Sequence, residues 1–180
     1  MTAAASPPIC DFVFGGARSG KTALALERAE ASGLEPVMLA TAEALDAEMG
    51  ERIAAHRAER GPRWSTIEEA RDLAGALDRA AAAGRIVVVD CLTLWLSNLM
   101  AAEADVEAEI DRLCDRLARL AGPVILVSNE VGLGIVPENA LARRFRDHQG
   151  RLNRRVAAVA ARVTFVAAGL ALVMKDEGGG

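Results

Sequence analysis

Aromatic side chains are scarce: two tryptophans, four phenylalanines and no tyrosine make up 3% of 180 residues. The core therefore has to be filled by aliphatic side chains, and although 52% of the residues are hydrophobic, alanine supplies much of that share. No apolar run comes near the roughly 20 residues that a membrane helix needs, which excludes a spanning segment of that kind. Residues 1–8 carry neither a basic stretch nor an apolar one, so no secretory signal is expected. Positive charge is not in excess. A net charge of −4 argues against a general nucleic-acid binder. Only three cysteines occur, Cys10, Cys91 and Cys114, and none of them has metal-ligand spacing. That pattern suits reduced thiols of a cytoplasmic protein acting as small buried hydrophobes. No repeat, linker or second domain is evident. The expectation is a short tail over 1–9, one domain over 10–175 and a frayed end over 176–180.

What is present is Gly15-Gly16-Ala17-Arg18-Ser19-Gly20-Lys21-Thr22, a complete G-x-x-x-x-G-K-T run. Asp11 to Phe14 before it can form a short buried strand, and Ala23 to Ala29 after it are strong helix formers. A strand, a glycine-rich turn and a helix start make an anion cradle. Its backbone N–H groups and helix dipole face phosphate, Lys21 reaches the β- and γ-phosphates, and the Thr22 hydroxyl can bind Mg²⁺.

The rest of the chain alternates strands and helices. Glu35 to Ala40 reads as a second strand, with Thr41, Ala42 and Glu43 at its C-terminal end, where open α/β sheets place ligands. Residues 43–60 read as a helix on which Leu45, Met49, Ile53 and His56 share one stripe, flanked by Arg52 and Arg60. Two readings fit that stripe: a core-facing helix with one satisfied histidine, or a helix that packs at one end and offers His56 and arginines to phosphate at the other. Gly61-Pro62 ends it. Trp64 to Ile67 can be extended, and Glu68 is expected to open a helix running to about Ala83. Arg85 to Asp90 is a β-branched run without alternation, the pattern of a strand buried on both faces of a parallel sheet. Asp90 at its tip has the form of a carboxylate that holds Mg²⁺ directly or through water.

Cys91 to Met100 reads as a buried helix with Trp95 in the core, and 103–121 as an amphipathic one. Pro123 to Ser128 is another buried strand. Asn129 and Glu130 then stand at the ligand edge, ahead of a glycine-containing loop to Pro137. Pro137-Glu138 is expected to open the last long helix, rich in arginine, on which His148 has no evident partner. Arg162 to Ala168 and Leu170 to Met174 are closing strands, with Gly169 suited to a tight turn and an antiparallel edge. The whole predicts an α/β, doubly wound, mostly parallel P-loop sheet.

The P-loop and Asp90 predict a nucleoside triphosphate with Mg²⁺ without choosing the reaction. Ser128-Asn129-Glu130-Val131 is not the N-K-x-D motif of Ras-type GTPases, and no long arginine-rich lid like that of nucleotide kinases is evident. A small-molecule kinase and a nucleotide-binding switch both remain open on these residues.

Several stretches are similar to the bifunctional adenosylcobinamide kinase/adenosylcobinamide-phosphate guanylyltransferase family. They are Gly15 to Thr22, Ala40-Thr41-Ala42, Asp46 to Met49, Arg52 to His56, Trp64, Ser128 to Asn139, Ala142-Arg143 and Phe145-Arg146-Asp147. The resemblance covers the chain after its tail. It implies a RecA-like P-loop fold, assembled as a homotrimer, that phosphorylates adenosylcobinamide with ATP or GTP. It then implies transfer of GMP from GTP to that phosphate through a guanylylated histidine, which the motif puts at His56. Nucleotide contacts carried over by the resemblance fall on Gly15 to Thr22, on Thr41, Ala42 and Glu43, on Arg57, Ala58, Glu59 and Arg60, and on Glu68 and Asp90.

Overall fold

The computed structural model describes residues 9–42 and 61–177. The expected helix over 43–60, with Glu43, His56, Arg57, Ala58, Glu59 and Arg60, lies outside the described residues, as do 1–8 and 178–180. Seven strands, β1 (Cys10–Gly15), β2 (Glu35–Ala40), β3 (Ser65–Glu68), β4 (Arg85–Asp90), β5 (Val124–Asn129), β6 (Arg162–Ala167) and β7 (Leu170–Asp176), form one sheet in the order β3-β2-β4-β5-β1-β6-β7. All pairings are parallel except β6 with β7. The antiparallel edge follows from the turn at Ala168-Gly169, where both residues have positive φ. The doubly wound, mostly parallel sheet with an antiparallel C-terminal edge is thus as expected.

Among the described residues, five helices flank the sheet: α1 (Lys21–Ala31), α2 (Leu73–Ala80), α3 (Leu92–Ala101), α4 (Val106–Leu117) and α5 (Ala140–Val159). The central strands are apolar on both sides because both faces are covered. Phe12, Val87, Val89, Val124 and Leu126 face one way, into a core built with α2 to α5 around Trp95. Val13, Ile86, Val88, Ile125 and Val127 face the other way, against Ala25 and Ala29 of α1. Alanine on α1 lets that helix lie close to the sheet. Trp95 is fully buried, its indole N–H donating to the Arg71 carbonyl at 2.7 Å. The three cysteines are free and buried. Burial pushes the Cys10 thiol up to about 12, with the Asp11 carboxylate adding to the rise.

Four boundaries differ from the sequence reading. Glu68 does not open a helix. It ends β3, paired in register with Ala40, and α2 starts five residues later. The Glu69 carboxylate accepts the N–H groups of Arg71 and Asp72, and Asp72 then caps the helix by accepting the Gly75 N–H. The helix expected over 103–121 shrinks to Val106–Leu117, because Asp105 caps it and Glu103 sits at φ 54°. Asn139 caps α5 through the N–H groups of Leu141 and Ala142, so that helix begins at Ala140 rather than at Pro137. β7 runs to Asp176, which pairs with Arg162 at 3.4 Å across the edge.

Candidate active site

The loop from β1 to α1 closes on itself. The Ser19 N–H donates to the Gly16 carbonyl at 3.3 Å, and the Gly169 N–H of the β6–β7 turn donates to the Ser19 carbonyl at 2.9 Å. Gly15 permits this closeness, because a Cβ there would stand 2.1 Å from the Val166 carbonyl oxygen. Gly20 caps α1 in the left-handed region at φ 95° and offers no side-chain cap. The first-turn N–H groups of α1 have no partner within the helix and face the cradle together with the positive dipole end. Ser19 Oγ is buried and has no hydrogen-bond partner. An orphaned hydroxyl beside a helix start is what a phosphate oxygen would satisfy.

Lys21 folds back over the loop, its Nζ donating to the Gly16 carbonyl at 3.0 Å. The residue is 8% exposed. Burial pulls its ammonium below the usual lysine value, opposed by the nearby Cys91 and Asp90. Thr22 is half-buried in the first helical turn. Among the described residues no group of three or more His, Cys, Asp or Glu could hold a metal. The Thr22 hydroxyl and the Asp90 carboxylate, both hard oxygen donors, would fit Mg²⁺ only as part of a shell completed by water and phosphate oxygens.

β5 lies between β1 and β4, so its last residue, Asn129, is the direct register partner of Gly15. The Asn129 N–H donates to Thr93 Oγ1 at 2.9 Å, and its carbonyl accepts from Asn153 at 3.0 Å. The Glu130 N–H donates to the Gly15 carbonyl at 2.9 Å. The sequence marked Asn129 and Glu130 as edge residues; its spacing could not reveal that they sit between the P-loop and Asp90, because that depends on strand order. Behind them, Ser128, Gln149 and Asn153 form a buried polar knot with bonds of 2.8 to 2.9 Å. No local sequence pattern signals it.

Thr41 is at the expected edge, yet it is fully buried. Its hydroxyl donates to the Cys91 carbonyl at 2.8 Å and accepts from the Cys91 N–H at 2.9 Å, and its carbonyl accepts from Asn98 at 2.7 Å. Its side chain ties the tips of β2 and β4 together rather than facing a ligand. Glu68 is exposed at the tip of β3, the outer strand, beyond β2 and β4 from the P-loop side. With strands about 4.8 Å apart, four steps put it about 19 Å from β1. The structure thus brings Gly15 to Thr22 together with Asp90, and sets Glu68 apart from them. His148, without a partner in the sequence reading, contacts Glu107 of α4 at 3.2 Å.

The fold has neighbours among solved structures of P-loop ATPases. One, an isolated ATPase domain, matches with a TM-score of 0.53 at 11% identity, covering 94% of this chain and 78% of that one. The RadB recombinase matches with a TM-score of 0.53 at 20% identity, covering 89% and 74%. These likenesses concern the fold alone. In sequence, the bifunctional adenosylcobalamin biosynthesis protein CobP of Pseudomonas aeruginosa is 48% identical over 169 residues, covering 93% of this chain and 98% of that protein. CobU proteins described in the same words from Escherichia coli and Salmonella typhimurium are 36% and 37% identical, each with 98% of its length covered. The family model described as cobinamide kinase / cobinamide phosphate guanyltransferase matches residues 11–174, and with that match the chain belongs to this family.

Proposed function

We propose that this protein carries out both reactions named for its family: it phosphorylates adenosylcobinamide with ATP or GTP, then transfers GMP from GTP to the product. The observation that carries this reading is the closed P-loop, with Lys21 folded onto Gly16 and Asp90 at the tip of β4, two strands away across β5. In the kinase step the backbone of Gly15 to Thr22 binds the triphosphate, and Lys21 leaves Gly16 to meet the β- and γ-phosphates. The acceptor hydroxyl attacks the γ-phosphorus, its oxygen–phosphorus bond forms as the bond to the β-phosphate oxygen breaks, and nucleoside diphosphate leaves. Thr22 and Asp90 would hold Mg²⁺, which when bound neutralises charge on the phosphate oxygens.

In the second reaction His56 is the proposed nucleophile. An imidazole with a pKa of about 6.5 is largely neutral near pH 7. Its ring nitrogen bonds to the α-phosphorus of GTP, the bond to the bridging oxygen breaks and pyrophosphate leaves. A phosphate oxygen of adenosylcobinamide phosphate then attacks the same phosphorus and the nitrogen–phosphorus bond breaks. The product is adenosylcobinamide-GDP, and two easier steps replace one hard one. We carry Ala42, Glu43, Arg57, Ala58, Glu59, Arg60 and Glu68 as nucleotide contacts on the same basis. Thr41 enters as the residue that positions that edge.

The proposed setting is cytoplasmic, with nucleotides and the corrinoid rather than nucleic acid as partners. No described helix is long and apolar enough to cross a membrane. A homotrimer is the proposed assembly. The exposed Leu170, Leu172, Val173 and Met174 of the edge strand β7 offer it an apolar surface.

GTP labelled at the α-phosphate tests the reading. The label is expected on the protein, stable to alkali and labile to acid, and lost in His56→Ala. An unlabelled wild-type protein would sink the guanylyltransferase and leave a kinase of another hydroxylated metabolite, or a nucleotide switch.

A further inference from the structure

The arginines of α5 take no part in the chemistry above. On one side of that helix Arg146, Asp147, Gly150, Arg151 and Arg154 line an open cleft of about 420 Å³, together with Gly132 of the loop after β5. Arg146, Arg151 and Arg154 fall within about 140° of the helix circumference, so they share one broad face. The cleft lining carries three cations against one carboxylate, in a chain whose net charge is −4. Arg146 is paired with Asp147 at 3.0 Å, and Arg151 reaches Glu107 of α4 at 3.0 Å. Arg154 is exposed and has no ion pair or side-chain hydrogen bond among the described residues.

Two features say that the cleft is kept open. Gly150 lies inside α5, where glycine weakens a helix relative to alanine. A Cβ at Gly150 would meet nothing within 4 Å, so packing does not demand the glycine. Gly132, from the loop after β5, also lines it without a side chain. The cleft is also tied to the P-loop. The Gly132 N–H donates to the Glu130 carboxylate, and the Glu130 N–H donates to the Gly15 carbonyl. Two residues of chain span at most about 7 Å, so Gly132 lies close to the phosphate cradle.

We propose that this cleft seats the phosphate monoester of the acceptor, with Arg154 as its main contact, during guanylyl transfer. The inference rests on the proposed second reaction. The acceptor of that step carries a dianionic phosphate that the acceptor of the kinase step lacks, and a planar guanidinium suits such a group through paired hydrogen bonds. Among the described residues Arg154 has no ion pair or side-chain hydrogen bond to give up on binding it. Arg146 and Arg151 add field from either side.

The test is the steady-state transfer of GMP from GTP to adenosylcobinamide phosphate by Arg154→Gln, with Arg154→Lys and Gly150→Leu beside it. Loss of a charge-assisted contact of this kind predicts a KM for adenosylcobinamide phosphate raised about tenfold or more. The KM for GTP should stay within about twofold, since the nucleotide is held elsewhere. Lysine should restore part of the loss, and leucine at 150 should reproduce it by filling the cleft. An unchanged acceptor KM in Arg154→Gln overturns the proposal. So does a raised KM for GTP with the acceptor KM unmoved, which would assign the cleft to nucleotide phosphate. Failure of the wild-type protein to transfer GMP at all would instead refute the proposed reaction, and so is distinguishable.

Discussion

Two loops meet at the hydrogen bond between Glu130 and Gly15, and they are built on opposite principles. The P-loop is closed from within: Gly15 lies against the backbone of Val166, Ser19 is clamped by Gly169, and Lys21 is folded onto Gly16. The loop after β5 faces outward. Leu133 is 83% exposed, Ile135 97% and Val136 61%. A loop that binds phosphate through its backbone must hold that backbone still. A loop whose side chains face solvent can leave its backbone loosely packed. The difference says that substitutions in the first loop act through geometry and in the second through surface chemistry.

The largest expected effect that would break this contrast is in Lys21→Ala. We expect kinase turnover to fall about 10²-fold or more, as for the loss of a preorganised charge at a reacting phosphate. Stability of the nucleotide-free protein should hold or rise, because burial already disfavours the Lys21 charge. Retained turnover would remove the P-loop from the mechanism.

A matched pair of glycines sharpens the point. Gly15→Ala forces a Cβ against a backbone oxygen and should cost about 3 kcal/mol, lowering Tm by about 6 to 12 °C. Gly134→Ala meets nothing within 4 Å and should change stability by less than about 0.5 kcal/mol. Equal melting temperatures in the two variants would mean that the loops do not differ as described.

The smallest effect is a proton. The folded protein holds the Lys21 pKa below its unfolded value, because burial disfavours the charged form relative to the unfolded chain. Stability then carries a penalty at pH below the folded pKa, relieved as pH rises toward the ordinary lysine value of about 10.4. A triphosphate restores counter-charge, raises the Lys21 pKa and draws a proton in. Calorimetric binding of nucleotide in buffers of different ionisation enthalpy, at pH just below that ordinary value, should give a fractional proton uptake that disappears in Lys21→Ala.

The sequence made the cradle and the central strands legible because each rests on local pattern. The run from Arg85 to Asp90 says burial on both faces, and Gly169 between two apolar runs says hairpin. What it hid was decided by contacts distant in the chain. Glu68 to Arg71 favours a helix locally, yet pairing with β2 makes Glu68 the end of a strand. Thr41 looked like a ligand contact because it follows a strand; its hydroxyl is instead committed to Cys91, 50 residues away. Asn129 could be placed at an edge but not between two other tips, since strand order is not written in any one segment. His148 gained its partner, Glu107, from another helix. The site is readable from local pattern where backbone does the binding and obscure where side chains from separate elements converge.

Strand order has one more consequence. With β5 between them, β1 and β4 are two strand steps apart, a spacing of about 10 Å set by backbone hydrogen bonding, and the register sets Asp90 two residues short of Gly15. Such a ruler has no intermediate marks. The interval cannot be tuned by side-chain substitution, only jumped by adding or removing a strand. The distance between the phosphate cradle and the acid opposite it is therefore fixed by the fold, and the chemistry of this sheet edge can vary only through the residues that stand at its tips.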